Sequence, residues 1–138
     1  KSGVRLLAET AAEFVRSQRW PVEAIVPVPP SRETRVFQPL QILARALGES
    51  LGIPVQSDCI AKTRSTPELK SVTAYDERLK LLDGAYAVFA KPIIGRKVLL
   101  LDDLYRSGAT LKAAYSTIAK SGVSEVYVLA ITKTRVKR

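Results

Sequence analysis

The chain of 138 residues is 46% hydrophobic and 25% charged, ordinary proportions for one folded globular domain over 1–138. No apolar run reaches the about 18 residues of a membrane span, and the N-terminal KSGVRLLAETAAEFV contains acids and no signal-peptide core, so no membrane partner is expected. The formal net charge is +9 without a single histidine, which favours anionic partners, and Cys59 is the only cysteine, which excludes an internal disulfide or zinc ribbon. A cytoplasmic location is the default expectation. With no initiating Met, the chain is expected to be cut from a longer one.

In chain order, Leu7, Ala11, Phe14 and Val15 recur at helical spacing and predict a helix over 4–18. AIVPV (Ala24 to Val28) reads as a short buried strand running into Pro29 and Pro30. Leu40, Leu43, Ala44, Leu47 and Leu51 line one face of a helix over 39–51 that stops at Gly52. Ile53 to Ser57 suggests the next strand. Between Thr63 and Leu82 the periodicity fades while charges and prolines accumulate, the pattern of a long flexible loop. Ala85 to Phe89 and Val98 to Leu101 are further strands. Leu111, Ala114, Tyr115, Ile118 and Ala119 mark a helix ending near Gly122, and Glu125 to Thr132 is the last strand. Such alternation predicts a three-layer α/β/α architecture with a mostly parallel central sheet. No helix fits between the strands near 55 and 87, so the latter is expected to be an antiparallel edge strand.

The most informative segment is VLLLDDLYRSGAT, 98–110. Four apolar residues form a buried strand, Asp102 and Asp103 stand where it ends, and a loop of small and hydroxylated residues leads into a helix. In open parallel sheets ligands bind at the carboxyl ends of strands, and a helix N-terminus offers free backbone N–H groups to an anion. Carboxylate acceptors beside backbone donors suit a ligand with both sugar hydroxyls and a phosphate. Acids after a strand also serve as caps or solubilising residues, and Thr110 could simply start the helix. Neither G-x-x-x-x-G-K-[ST] nor G-x-G-x-x-G occurs.

This segment resembles the phosphoribosyl pyrophosphate (PRPP) motif of the type I phosphoribosyltransferases. The resemblance implies that Asp102 and Asp103 hold the ribose 2′- and 3′-hydroxyls. It also implies that Arg106, Ser107, Gly108, Ala109 and Thr110 wrap the 5′-phosphate. The sequence departs from the usual motif at Tyr105 and Arg106. VPVPPSRETRVFQPLQILARAL (Val26 to Leu47) and CIAKTRSTPELKSVTAYDERLKLLDGAYAV (Cys59 to Val88) are similar to the ComF-like branch, and the resemblance covers about residues 20–135. Pro30, Ser31 and Arg32 would then form the pyrophosphate loop, and Arg64 and Arg78 would close over PRPP from the flexible loop. Where the branch usually has Arg-Gly-Phe-Asn-Gln, this chain reads Arg35-Val36-Phe37-Gln38-Pro39.

By this resemblance the chain is a phosphoribosyltransferase that moves the 5-phosphoribosyl group to a nitrogenous base or amine, with Mg²⁺ bound through PRPP. The family reads the base with a separate hood, for which residues 1–20 are the only spare material. The alternative is a non-catalytic PRPP-fold module of a DNA-uptake or DNA-repair protein, with nucleic acid or a helicase domain as partner. A ligand sensor without turnover is a third reading. A homodimer is compatible with all of them.

Overall fold

Val98, Leu99, Leu100 and Leu101 are each completely buried, and the rest of the molecule is arranged around them. The computed structural model describes residues 2–29, 39–62, 85–103 and 108–131. In chain order its elements are α1 (Ser2–Gln18), β1 (Ala24–Pro27), α2 (Pro39–Leu51), β2 (Ile60–Lys62) and β3 (Tyr86–Val88). A 3-10 turn (Lys91–Ile93), β4 (Lys97–Asp103), α3 (Gly108–Ala119) and β5 (Glu125–Ile131) follow. The main sheet has the order β1-β4-β5, parallel throughout. Ala24 to Pro27 pair with Val98 to Leu101, and Lys97 to Asp103 pair with Glu125 to Ile131.

Successive strand residues point to opposite faces, so an unbroken apolar run can bury both. Ile25, Leu99 and Leu101 pack with Ala11, Ala12 and Val15 of α1 and with Ala44 and Leu47 of α2. Ala24, Val26, Val98 and Leu100 pack on the other face with Ala114 and Ile118 of α3, and with Ile60, Tyr86 and Ile93. Helices thus cover the sheet on both sides, the expected three-layer α/β/α arrangement. Among the described residues no helix is long and apolar enough to cross a membrane.

The helices over 4–18 and 39–51, and the strands from 24, 98 and 125, lie where the sequence predicts them, within a few residues. Ile53 to Ser57 differs. Only Val55 bridges β1, in parallel to Ile25, with the Ile25 N–H donating to the Pro54 carbonyl (2.9 Å) and the Gln56 N–H to the Ile25 carbonyl (2.8 Å). Pro54 has no N–H to extend a ladder, and the strand forms instead at Ile60. The expected antiparallel pairing of the strand near 87 is present as the β2–β3 ladder, Ile60 opposite Val88 and Lys62 opposite Tyr86. That ladder is its own two-stranded sheet on the α3 side rather than an edge of the main one. The loop expected over 63–82 lies outside the described residues.

Gly48 sits inside α2, where glycine is a poor helix former. A Cβ there would lie 2.7 Å from Val55 Cγ2 and 2.9 Å from the Ile53 carbonyl oxygen. The helix approaches the segment beside β1 too closely for any side chain. The same carbonyl of Gly48 accepts the Gly52 and Ile53 N–H groups (2.8 and 3.0 Å), and Gly52 takes a positive φ of 73° to end the helix. Gly48→Ala should therefore destabilise by about 1–3 kcal/mol in urea unfolding, because overpacking outweighs the gain of up to about 1 kcal/mol in helix propensity.

Candidate functional site

Asp102 and Asp103 are the last two residues of β4, which runs two positions past the apolar run. They pair in register with Ala130 and Ile131 at the end of β5. On the other side, the Val28 N–H donates to the Leu101 carbonyl at 2.8 Å. The exit of β1, from which the chain runs through Pro29 toward Pro30, Ser31 and Arg32, therefore lies beside the acids. Parallel pairing of β1, β4 and β5 gathers their carboxyl ends at one end of the sheet.

Asp102 is 2% exposed and shares strand parity with Val98 and Leu100, so it belongs to the face covered by α3. α3 begins at Gly108, five positions after Asp103, with Gly108, Ala109 and Thr110 in its first turn. The first turn of a helix leaves backbone N–H groups without helical partners, and its dipole favours negative charge there. Thr110 is 3% exposed. A buried carboxylate or hydroxyl must be engaged to persist, and both Asp102 and Thr110 interact with neighbouring groups. A strand-end acid pair followed in sequence by a helix N-terminus is the kind of arrangement at which open parallel sheets bind ligands.

Of the candidate residues, Asp102, Asp103, Gly108, Ala109 and Thr110 are brought together here. Pro30, Ser31, Arg32, Arg64, Arg78, Arg106 and Ser107 lie outside the described residues. Val28, Ala130 and Ile131, which flank the acids through the ladders, escaped the sequence reading. The signal for them was that AIVPV, VLLL and VYVLAI are all short unbroken apolar runs, the pattern of buried parallel strands that lie side by side.

Cys59 is not part of this geometry. It is 2% exposed in the α3-side core, where its carbonyl accepts the Phe89 N–H at 2.8 Å. Burial, and secondarily the Asp58 charge, push its thiol above the usual range. Since thiolate is the reactive form, iodoacetamide should label native Cys59 far more slowly than the urea-unfolded chain at neutral pH. By linkage, this raised value leaves stability untouched below the ordinary thiol range and reduces it above that range, where the unfolded chain ionises first.

No family model matches the chain. Competence protein F of Haemophilus influenzae is 28% identical over 115 residues, covering 80% of this chain and 50% of that protein. A uracil phosphoribosyltransferase of Streptomyces avermitilis is 28% identical over 124 residues, covering 89% of this chain and 56% of that protein. The chain thus spans about half the length of these curated relatives. Among solved structures, a hypothetical protein from Neisseria gonorrhoeae with bound ppGpp has a TM-score of 0.62 at 19% identity, over 99% of this chain and 71% of its own. The allosteric regulatory enzyme of purine biosynthesis gives 0.59 at 16% identity, over 92% of this chain and 25% of its own. A hypoxanthine phosphoribosyltransferase from Staphylococcus aureus gives 0.53 at 12% identity, over 97% and 68%. At such identities the solved structures speak for the fold alone. They and the sequence relatives agree with the strand-end acid pair and the helix that follows it: the chain has the α/β fold of the type I phosphoribosyltransferases and is similar in sequence to a competence protein F and to a uracil phosphoribosyltransferase.

Proposed function

We propose that the chain binds PRPP and transfers its 5-phosphoribosyl group to a nitrogen of a base or amine, releasing pyrophosphate. The observation that carries this reading is the position of Asp102 and Asp103 at the carboxyl end of β4, directly ahead of the α3 N-terminus. The two carboxylates accept hydrogen bonds from the ribose 2′- and 3′-hydroxyls. Residues 106–110 hold the 5′-phosphate through backbone N–H groups, Arg106, and the Ser107 and Thr110 hydroxyls. Pro30, Ser31 and Arg32 meet the diphosphate beyond β1, and Arg64 and Arg78 neutralise it as it departs.

In the reaction the bond from the anomeric carbon to the pyrophosphate oxygen breaks, and its electron pair leaves with the pyrophosphate. A nitrogen lone pair forms the new bond, and the nitrogen loses its proton to solvent. Positive charge grows at the sugar while negative charge grows on the leaving group. Positioning and electrostatics therefore supply most of the catalysis. The Asp102 and Asp103 carboxylates are hard oxygen donors of the kind Mg²⁺ accepts, and as a pair they are too few to complete its shell, which fits an ion shared with substrate oxygens and water. When bound, Mg²⁺ would neutralise the departing diphosphate.

A second reading is a non-catalytic PRPP-fold module of a DNA-handling protein, favoured by the likeness to competence protein F and by the net charge of +9. The neighbour with bound ppGpp supports a site for phosphorylated ribose under either reading. The deciding experiment titrates PRPP with Mg²⁺ into the chain by calorimetry and then screens bases and amines for pyrophosphate release. Saturable binding with release establishes the transferase, and binding without release for any acceptor favours the module. No binding at millimolar PRPP, well above the micromolar range common for enzyme substrates, overturns the transferase reading and leaves the DNA-handling module to be tested with nucleic acid.

A further inference from the structure

We propose that Ala130 sets the room a ligand has beside the acid pair, so that its single methyl group decides whether a sugar reaches the Asp102 carboxylate. This role rests on the PRPP reading of the site. β4 and β5 run parallel and in register, with Asp102 paired to Ala130. Residues paired in this way share a face, and neighbouring strands lie about 4.8 Å apart, so the Ala130 side chain stands next to that of Asp102. On the other flank the ladder brings Val28 beside Asp102, since Pro27 pairs with Leu101 and the Val28 N–H donates to the Leu101 carbonyl at 2.8 Å.

The two flanks differ. Val28 is 1% exposed and packed into the α3-side core, which closes its side. Along β5, Val126 and Val128 pack against the same core. Ala130, next on that face, stays partly exposed and among the described residues joins neither core. The wall around Asp102 is thinnest there.

The residue type points the same way. β5 reads EVYVLAI, and after Glu125 every position but 130 carries a β-branched, aromatic or leucine side chain. Buried parallel strands are rich in Val, Ile and Leu, while alanine is disfavoured in strands. Ala130→Val would raise strand propensity and add apolar surface to a half-covered face, so folding alone favours the larger residue. Alanine instead gives up stability at the one position of β5 that adjoins the buried carboxylate. Stability exchanged for open space is the mark of a working site. The space suits a hydroxylated ring, because a carboxylate accepts through both oxygens and a sugar hydroxyl can join the groups that already engage Asp102.

The test is calorimetric titration of PRPP with Mg²⁺ into the wild type, Ala130→Gly, Ala130→Val and Ala130→Leu, beside a thermal melt of each. Ala130→Gly should bind like the wild type although it melts lower, since glycine weakens a strand. Ala130→Val should bind about ten-fold more weakly and Ala130→Leu more weakly still, from crowding of the ligand. The melting temperature of Ala130→Val should nonetheless equal or exceed that of the wild type. Affinity and stability then move in opposite directions, which a merely structural residue would not produce. Wild-type affinity in Ala130→Val overturns the role of Ala130 and leaves the PRPP reading standing. So does a melting temperature that falls together with the affinity, because the loss is then one of packing. A wild type that does not bind PRPP overturns the reading and this inference together.

Discussion

Asp102→Asn combined with Asp103→Asn should abolish measurable PRPP binding while the chain stays folded. Asparagine keeps the size of aspartate and removes its charge, so the exchange tests acceptor strength rather than packing. A hydrogen bond to a charged group contributes about 1.5–3 kcal/mol, so each carboxylate should account for a ten- to hundred-fold change in affinity. The two together would move a micromolar site out of calorimetric range. Asp102 is buried on the α3 face, so Asp102→Asn alone should also shift the melting temperature, whereas Asp103→Asn should act mainly on the ligand. Binding retained in the double variant would remove the acid pair from the site.

Leu99→Ala and Leu100→Ala should each cost about 2–5 kcal/mol in urea unfolding, the range for large-to-small changes at sites that cannot collapse. Both side chains are completely buried, but in different layers: Leu99 with Val15 and Leu47 beneath α1 and α2, Leu100 with Ala114 and Ile118 beneath α3. Comparable losses at adjacent residues of one strand require a sheet covered on both faces. In a sheet with one solvated face, one of the two would be nearly neutral. With total stabilities of about 5–15 kcal/mol, the double variant should fail to fold at room temperature. A cost below about 0.5 kcal/mol at either position, the range of ordinary surface sites, would contradict the three-layer arrangement.

The acid pair was legible because its signal is local: an apolar run, two carboxylates and a small-residue loop lie within VLLLDDLYRSGAT, and the structure sets them at a strand end and a helix start. The helices were legible for the same reason, since Leu40, Leu43, Ala44 and Leu47 repeat at the period of one helix face. Ile53 to Ser57 misled because strand propensity is a property of side chains, while a ladder also needs backbone donors that Pro54 lacks. Gly48 carried no warning, because the close contact that demands it comes from Ile53 and Val55, outside its helix.

By itself, the sequence determined the α/β class, the order of the elements and the chemistry gathered after Leu101, all of which rest on spacing between near neighbours. Only the tertiary structure decided that β1 lies against β4, that β4 pairs in turn with β5, and that β2 and β3 leave the main sheet to pair with each other. Those outcomes depend on the register between distant segments, where hydrogen bonding and two-sided burial choose among pairings that local pattern leaves equal.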